Sequence, residues 1–145
     1  MSTGRGRRRP LSLFLGRGLA LGAGLAAVAA ARRWFDVVEV QGSSMAPILL
    51  PGEWLLVERR TYARRPPRVG EIVLAADPRE PTRELIKRVA AVDEPAGTLE
   101  LRGDAPDAST DSRTFGDIPM SAVRWRLVAR YWPPGRIGLA RTNSS

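Results

Sequence analysis

The sequence predicts a mostly β protein: a compact antiparallel, partly barrel-like sheet domain preceded by one N-terminal transmembrane helix. Three observations carry that expectation. The 145 residues have room for one domain. A single alanine-rich apolar stretch, Leu11 to Ala31, opens the chain. Beyond Trp34 the pattern changes to short β-branched and aliphatic runs punctuated by Gly and Pro, which is the spacing of an antiparallel sheet.

Residues 1–10 form a basic tail. Residues 11–31 follow as 21 positions broken by one charge, Arg17. As a helix this stretch would reach roughly 31 Å, about one hydrocarbon thickness. Arg17 lies near its amino end, where a long side chain can snorkel to the headgroups. Arg5, Arg7, Arg8 and Arg9 precede it and Arg32 and Arg33 follow. That bias favours a cytoplasmic amino terminus, with the rest of the chain extracytoplasmic on a cell or inner membrane. Two other readings of the same stretch stand beside the anchor. One is a cleaved export signal, given "RGRRRPLSLFL" and the small residues of "AVAAA". The other is an interfacial helix, given the high Gly and Ala content.

The globular part runs over residues 34–139, with a tail at 140–145. Val37–Val40, Trp54–Glu58, Glu71–Ala75, Leu85–Val92, Thr98–Arg102 and Val123–Tyr131 read as strands. Pro51-Gly52, Pro66-Pro67, Asp77-Pro78, Pro95-Ala96-Gly97 and Gly103-Asp104 separate them as turns. No internal repeat is present. The basic stretch from Arg60 to Gly70 reads as a solvated loop.

Charge and composition narrow the partners. The net charge is +8, yet residues 1–33 hold seven arginines and no acid. The other 112 residues balance 16 basic against 15 acidic groups, so the excess flanks the apolar segment. The lipid bilayer is therefore the expected partner, and nucleic acid is not. With no cysteine and no histidine, thiolate nucleophiles, Ser-His-Asp triads and imidazole-bound metals are all excluded. No cofactor and no metal are expected. A serine hydrolase built from these residues needs lysine, a carboxylate or the amino terminus as its base.

Lys87 is the only lysine; the other 22 basic side chains are arginine. Arginine keeps its proton at any ordinary pH, whereas a buried lysine can lose it. Strand alternation puts Leu85, Lys87 and Val89 on one face and Arg88 on the other. Burial there disfavours the ammonium. Neutrality at pH 7 requires about 4.6 kcal/mol of such opposition, which full burial can supply. An edge-strand surface lysine is the plain alternative. A hydroxyl to match comes from "GSSMAP", Gly42 to Pro47, where a serine pair sits between a strand and a Pro-limited turn. Serine becomes nucleophilic only when a base accepts its proton, and turn serines often do no more than satisfy backbone groups.

"GSSMAP", then "ELIKRV", then "GDAPDASTDSRTFGDIP" together resemble the type I signal peptidase family, from about Val38 to Gly138. The closing "YWPPGRIG" is similar to the small branch that includes mitochondrial inner membrane protease subunits and bacterial relatives. The resemblance implies a Ser/Lys endopeptidase on a signal-peptidase-type sheet, acting on preproteins that carry signal peptides, with a partner subunit in some relatives. Ser44 would be the nucleophile and Lys87 the general base. Ser109 would orient the lysine amine, while Asp111 and Arg113, on one face of an extended segment, would pair to brace their loop. Gly42, Ser43 and Met45 would flank the nucleophile as substrate-binding and oxyanion positions, with the Ser44 N–H as donor. Where many relatives carry Ser or Thr two residues before the nucleophile, this chain has Gly42. Glu53 and Ala105 likewise replace the usual Asp and Asn. A dedicated maturation protease for one partner, such as the enzymes that trim the nickel superoxide dismutase propeptide, is the alternative. A self-cleaving repressor and a non-catalytic membrane module are weaker ones.

Overall fold

A computed structural model describes residues 12–139, and the chain divides into two units after Arg33. The first unit carries helix α1 (Ser12–Trp34), with Arg32 and Arg33 in its last turn, where cations complement the helix dipole. Among the described residues no helix is long and apolar enough to cross a membrane. The helix falls where the apolar stretch predicts one, but the transmembrane character expected of residues 11–31 is not supported. Glycines, alanines and Arg17 keep the stretch only weakly hydrophobic. The tails at 1–10 and 140–145 lie outside the described residues.

The second unit is one antiparallel sheet of seven strands: β1 (Phe35–Glu39), β2 (Trp54–Glu58), β3 (Ile72–Asp77), β4 (Glu80–Asp93), β5 (Thr98–Arg102), β6 (Ile118–Pro119) and β7 (Val123–Trp132). Their order is β1-β2-β7-β3-β4-β5-β6. The sheet does not close, so the partly barrel-like expectation reduces to an open, mostly antiparallel sheet. The strands at Trp54–Glu58 and Thr98–Arg102 form with the expected bounds.

β3 explains how the sheet is filled. Its residues Ile72, Val73, Leu74 and Ala75 are all buried, as in a strand covered on both faces. Ile72 and Leu74 join Val40, Met45, Leu49, Leu55, Val57 and Leu127 in one cluster. Val73 and Ala75 join Val89, Leu99, Leu101 and Ile118 in the other. Burying an aliphatic side chain of this kind contributes about 1.5–3 kcal/mol, so both layers hold the central strand in place.

β4 is longer than the sequence suggests, because the Asp77-Pro78 turn forms a tight hairpin that carries pairing back to Glu80. β3 pairs with Glu80 to Arg88, whereas β5 pairs only with Arg88 to Asp93. The β5-side edge of β4 before Arg88 therefore has no strand neighbour among the described residues. Two short elements escape sequence patterning: β6 and helix α2 (Ser112–Phe115). α2 corrects the extended conformation expected around Asp111 and Arg113. Asp111 is its N-cap, accepting from the Arg113 backbone N–H.

Candidate active site

Two elements converge on the open edge of β4. The first is the turn that follows Val40. Gly42 sits there at φ 82°, a left-handed conformation that favours glycine. Ala46 N–H donates to the Ser43 carbonyl and Leu49 N–H to the Met45 carbonyl. Met45 and Leu49 are fully buried and fasten the turn to the core. Ser44, between an exposed Ser43 and a buried Met45, is thereby turned toward β4.

The second element is β4 itself. Lys87 stands opposite Val73 and is flanked on its own face by buried Leu85 and Val89. It is 3% exposed, which decides against the edge-strand surface lysine. Lys87 Nζ and Ser44 Oγ lie 2.7 Å apart, within hydrogen-bond distance. Burial pushes the Lys87 pKa below that of an ordinary lysine. The Asp111 carboxylate opposes this, while the nearby Arg83 and Arg79 guanidiniums reinforce it. Among the described residues Lys87 forms no ion pair, so no carboxylate in contact holds its proton.

The neighbouring Arg88 takes the other course. Its Nε and Nη2 donate to the two carboxylate oxygens of Asp104 at 2.8 and 2.6 Å, and Nη1 donates to the Gly70 carbonyl. Asp104 belongs to the Gly-Asp turn, so Arg88 ties that turn to the strand of the lysine.

The loop after β5 closes the site from a third side. Asp111 is wholly buried. Its Oδ2 accepts from Gly103 N–H at 2.9 Å and from Ser109 Oγ at 2.8 Å, and Arg113 donates to both carboxylate oxygens. The Arg113 guanidinium, followed by those donors, holds the Asp111 carboxyl well below the usual carboxylate range. The expected Asp111–Arg113 pair is therefore present, within a helix cap rather than an extended segment. Among the described residues no hydrogen bond links Ser109 to Lys87, and the Ser109 hydroxyl donates to the charged Asp111 carboxylate. Gly103 is needed for close approach, since a Cβ there would stand 2.2 Å from Ser109 Oγ and 2.5 Å from the Ser44 carbonyl oxygen. That carbonyl accepts from Ala105 N–H at 2.9 Å. Gly103 and Asp104 were visible in sequence as a turn and as the start of the third motif; their packing against Ser44 and Arg88 was not, because it involves residues far apart in the chain.

A groove of about 560 Å³ opens beside these groups. One wall is the segment from Val38 to Met45 and the other is the first half of β4, Thr82 to Lys87. Among the described residues no acceptor takes the Ser44 backbone N–H, and no cluster of carboxylates could hold a metal ion. The arrangement is a hydroxyl beside a desolvated amine, facing an open groove.

The family description signal peptidase, peptidase S26, matches residues 16–94, a span that includes both Ser44 and Lys87. Among curated proteins, the chain is 32% identical to the mitochondrial ATP-independent inner membrane protease subunit 1a of Arabidopsis thaliana, over 73% of this chain and 76% of that protein. It is 28% identical to the human mitochondrial inner membrane protease subunit 1, covering 74% of this chain and 75% of the relative. It is also 29% identical to subunit 2 of the Danio rerio protease, covering 69% and 66%.

Proposed function

We propose, because the chain belongs to the signal peptidase family, peptidase S26, that it is a membrane-attached serine endopeptidase with a Ser44/Lys87 dyad, removing signal or targeting peptides from exported proteins. The observation that carries the reading is the 2.7 Å contact between a buried amine and a turn hydroxyl.

The reaction follows from that geometry. With Lys87 neutral, Nζ accepts the Ser44 proton as Oγ attacks the scissile carbonyl. The resulting ammonium returns a proton to the leaving amine, and a second cycle with water releases the acyl group. The free Ser44 N–H donates to the developing oxyanion; one such donor is typically worth about 3 kcal/mol. Gly42 brings no side chain to that role, and Ser43 and Met45 frame it by backbone and packing. Asp111 acts at one remove: its charge favours the ammonium that forms in the transition state, and through Ser109 and Gly103 it fixes the loop behind Ser44.

The substrate lies extended in the groove. The unpaired edge of β4 offers backbone donors and acceptors to an added strand, with signal-peptide side chains alternating between its walls. Membrane attachment is assigned to residues 11–31, with the amino terminus cytoplasmic, and a second subunit is a further partner, since relatives are named as subunits.

Two experiments test these assignments. Mass spectrometry of products from synthetic presequence peptides should show one cut with the unmodified chain and none with Ser44→Ala. Equal cleavage by both forms would remove Ser44 from the mechanism. Liposome flotation in high salt should retain the full-length chain; its release would refute the attachment.

A further inference from the structure

The family resemblance gives no role to the end of β7 and the "WPPGRIG" turn after it, yet this region reaches back to the loop that carries Ser44. Arg130, on β7, donates from Nη1 to the Ile48 carbonyl at 2.8 Å and lies 3.4 Å from Glu53 Oε2. Its Nε donates to the Arg136 carbonyl. Arg136, in the 3-10 turn Pro134–Arg136, donates from Nη2 to the carbonyls of Pro47 and Ile48 at 3.1 and 3.2 Å. Its Nη1 stands 3.1 Å from Glu53 Oε1. Glu53 is 3% exposed and its Oε2 accepts from Leu50 N–H at 2.9 Å. Paired backbone bonds between Arg130 and Gly138 hold the turn in place.

These contacts fall on residues 47–53, which lie between β1 and β2 and outside the sheet ladder. A carboxylate this buried is costly unless it is paired and hydrogen-bonded, and here two guanidiniums supply the pairing. Arg130 Nη1 and Arg136 Nη2 also donate to main-chain carbonyls three and four residues after Ser44. Ser44 is thus tied on one side by Ala105 to its own carbonyl and on the other by the two arginines to the chain just downstream.

We infer that Glu53, Arg130 and Arg136 form a positioning clamp that sets the Ser44 hydroxyl against Lys87, so that the C-terminal turn governs the acylation rate without touching the substrate. The inference rests on the reading of Ser44 as the nucleophile. A displacement of about 1 Å at a reacting group can cost on the order of 100-fold in rate, and the clamp acts on that scale.

The test uses the full-length chain and its Arg136→Ala, Arg136→Lys and Glu53→Gln variants. Three quantities are measured: labelling of Ser44 by an acylating active-site probe, kcat and KM on a presequence peptide, and the thermal midpoint. For Arg136→Ala we expect kcat and the labelling rate to fall together by about 10- to 100-fold, with KM within about twofold and the pH profile unmoved, because β4 is untouched. Added guanidinium ion should restore part of the rate. Arg136→Lys keeps the charge but cannot span two carbonyls and Glu53 together, and should fall in between. It carries the test if the alanine variant does not fold. Full labelling and kcat alongside a lowered midpoint would overturn the clamp and leave a merely stabilising role. A raised KM at unchanged kcat would overturn it in favour of a substrate contact. An unmutated chain that is neither labelled at Ser44 nor active on peptides would refute the nucleophile assignment itself, and the clamp with it.

Discussion

The two residues of the proposed dyad are held by different means. Lys87 sits mid-strand in the longest element of the sheet, with β3 paired along it from Glu80 to Arg88 and apolar side chains on both sides of it. Ser44 lies on a turn with no ladder partner, and individual bonds from Ala105, Arg130 and Arg136 fix the chain around it. Lys87, the proposed base, is thus placed by cooperative sheet structure, and Ser44, the proposed nucleophile, by a few separable contacts. Damage on the base side should change chemistry and pH dependence, whereas damage on the nucleophile side should change geometry.

The largest effect on that contrast comes from Lys87→Arg. The guanidinium keeps positive charge on the strand but cannot accept a proton, so peptide cleavage should drop by at least about 10³-fold, the scale of losing a dyad member. A variant with ordinary turnover would dismiss Lys87 as the base. Next is Gly103→Ala. The new methyl would clash with both Ser109 and the Ser44 carbonyl, and overpacking of this kind costs about 1–3 kcal/mol. Urea denaturation should report that loss, with kcat falling and the Lys87 limb of the pH profile staying in place. Unchanged stability would mean that the loop yields freely.

The smallest effect tests the environment of the base. The Lys87 pKa is lower folded than unfolded. Between the two values the unfolded chain binds more protons, so this residue favours unfolding as pH falls through that window and is neutral above both. Lys87→Met, of similar length, should therefore raise the thermal midpoint at neutral pH, and the advantage should shrink as pH climbs toward 10.5. A gain independent of pH would show that desolvation is not its cause.

Legibility in the sequence followed the range of the interaction. The strands at Trp54–Glu58 and Thr98–Arg102, with turns on both sides, were readable because alternation and Gly/Pro punctuation are local. Asp111 and Arg113 were readable as a pair but not in conformation: a four-residue helix capped by Asp111 leaves no periodicity to detect. The Ser109 hydroxyl was expected on Lys87, and goes instead to a carboxylate two residues away. Arg88 with Asp104, and Glu53 with Arg130 and Arg136, left no trace in any window, since the partners are 16 to 83 positions apart.

Composition alone determined which chemistry was closed to this chain: without histidine or cysteine, a serine hydrolase had to take its base from one lysine, a carboxylate or the amino terminus. Side-chain identity sets the available proton donors and acceptors whatever the fold. Only tertiary structure decided that the amine is dry, that it meets the hydroxyl at 2.7 Å, and that two distant arginines hold the turn. Burial and distance belong to pairs of residues brought together by packing, and packing is settled by the whole sheet at once.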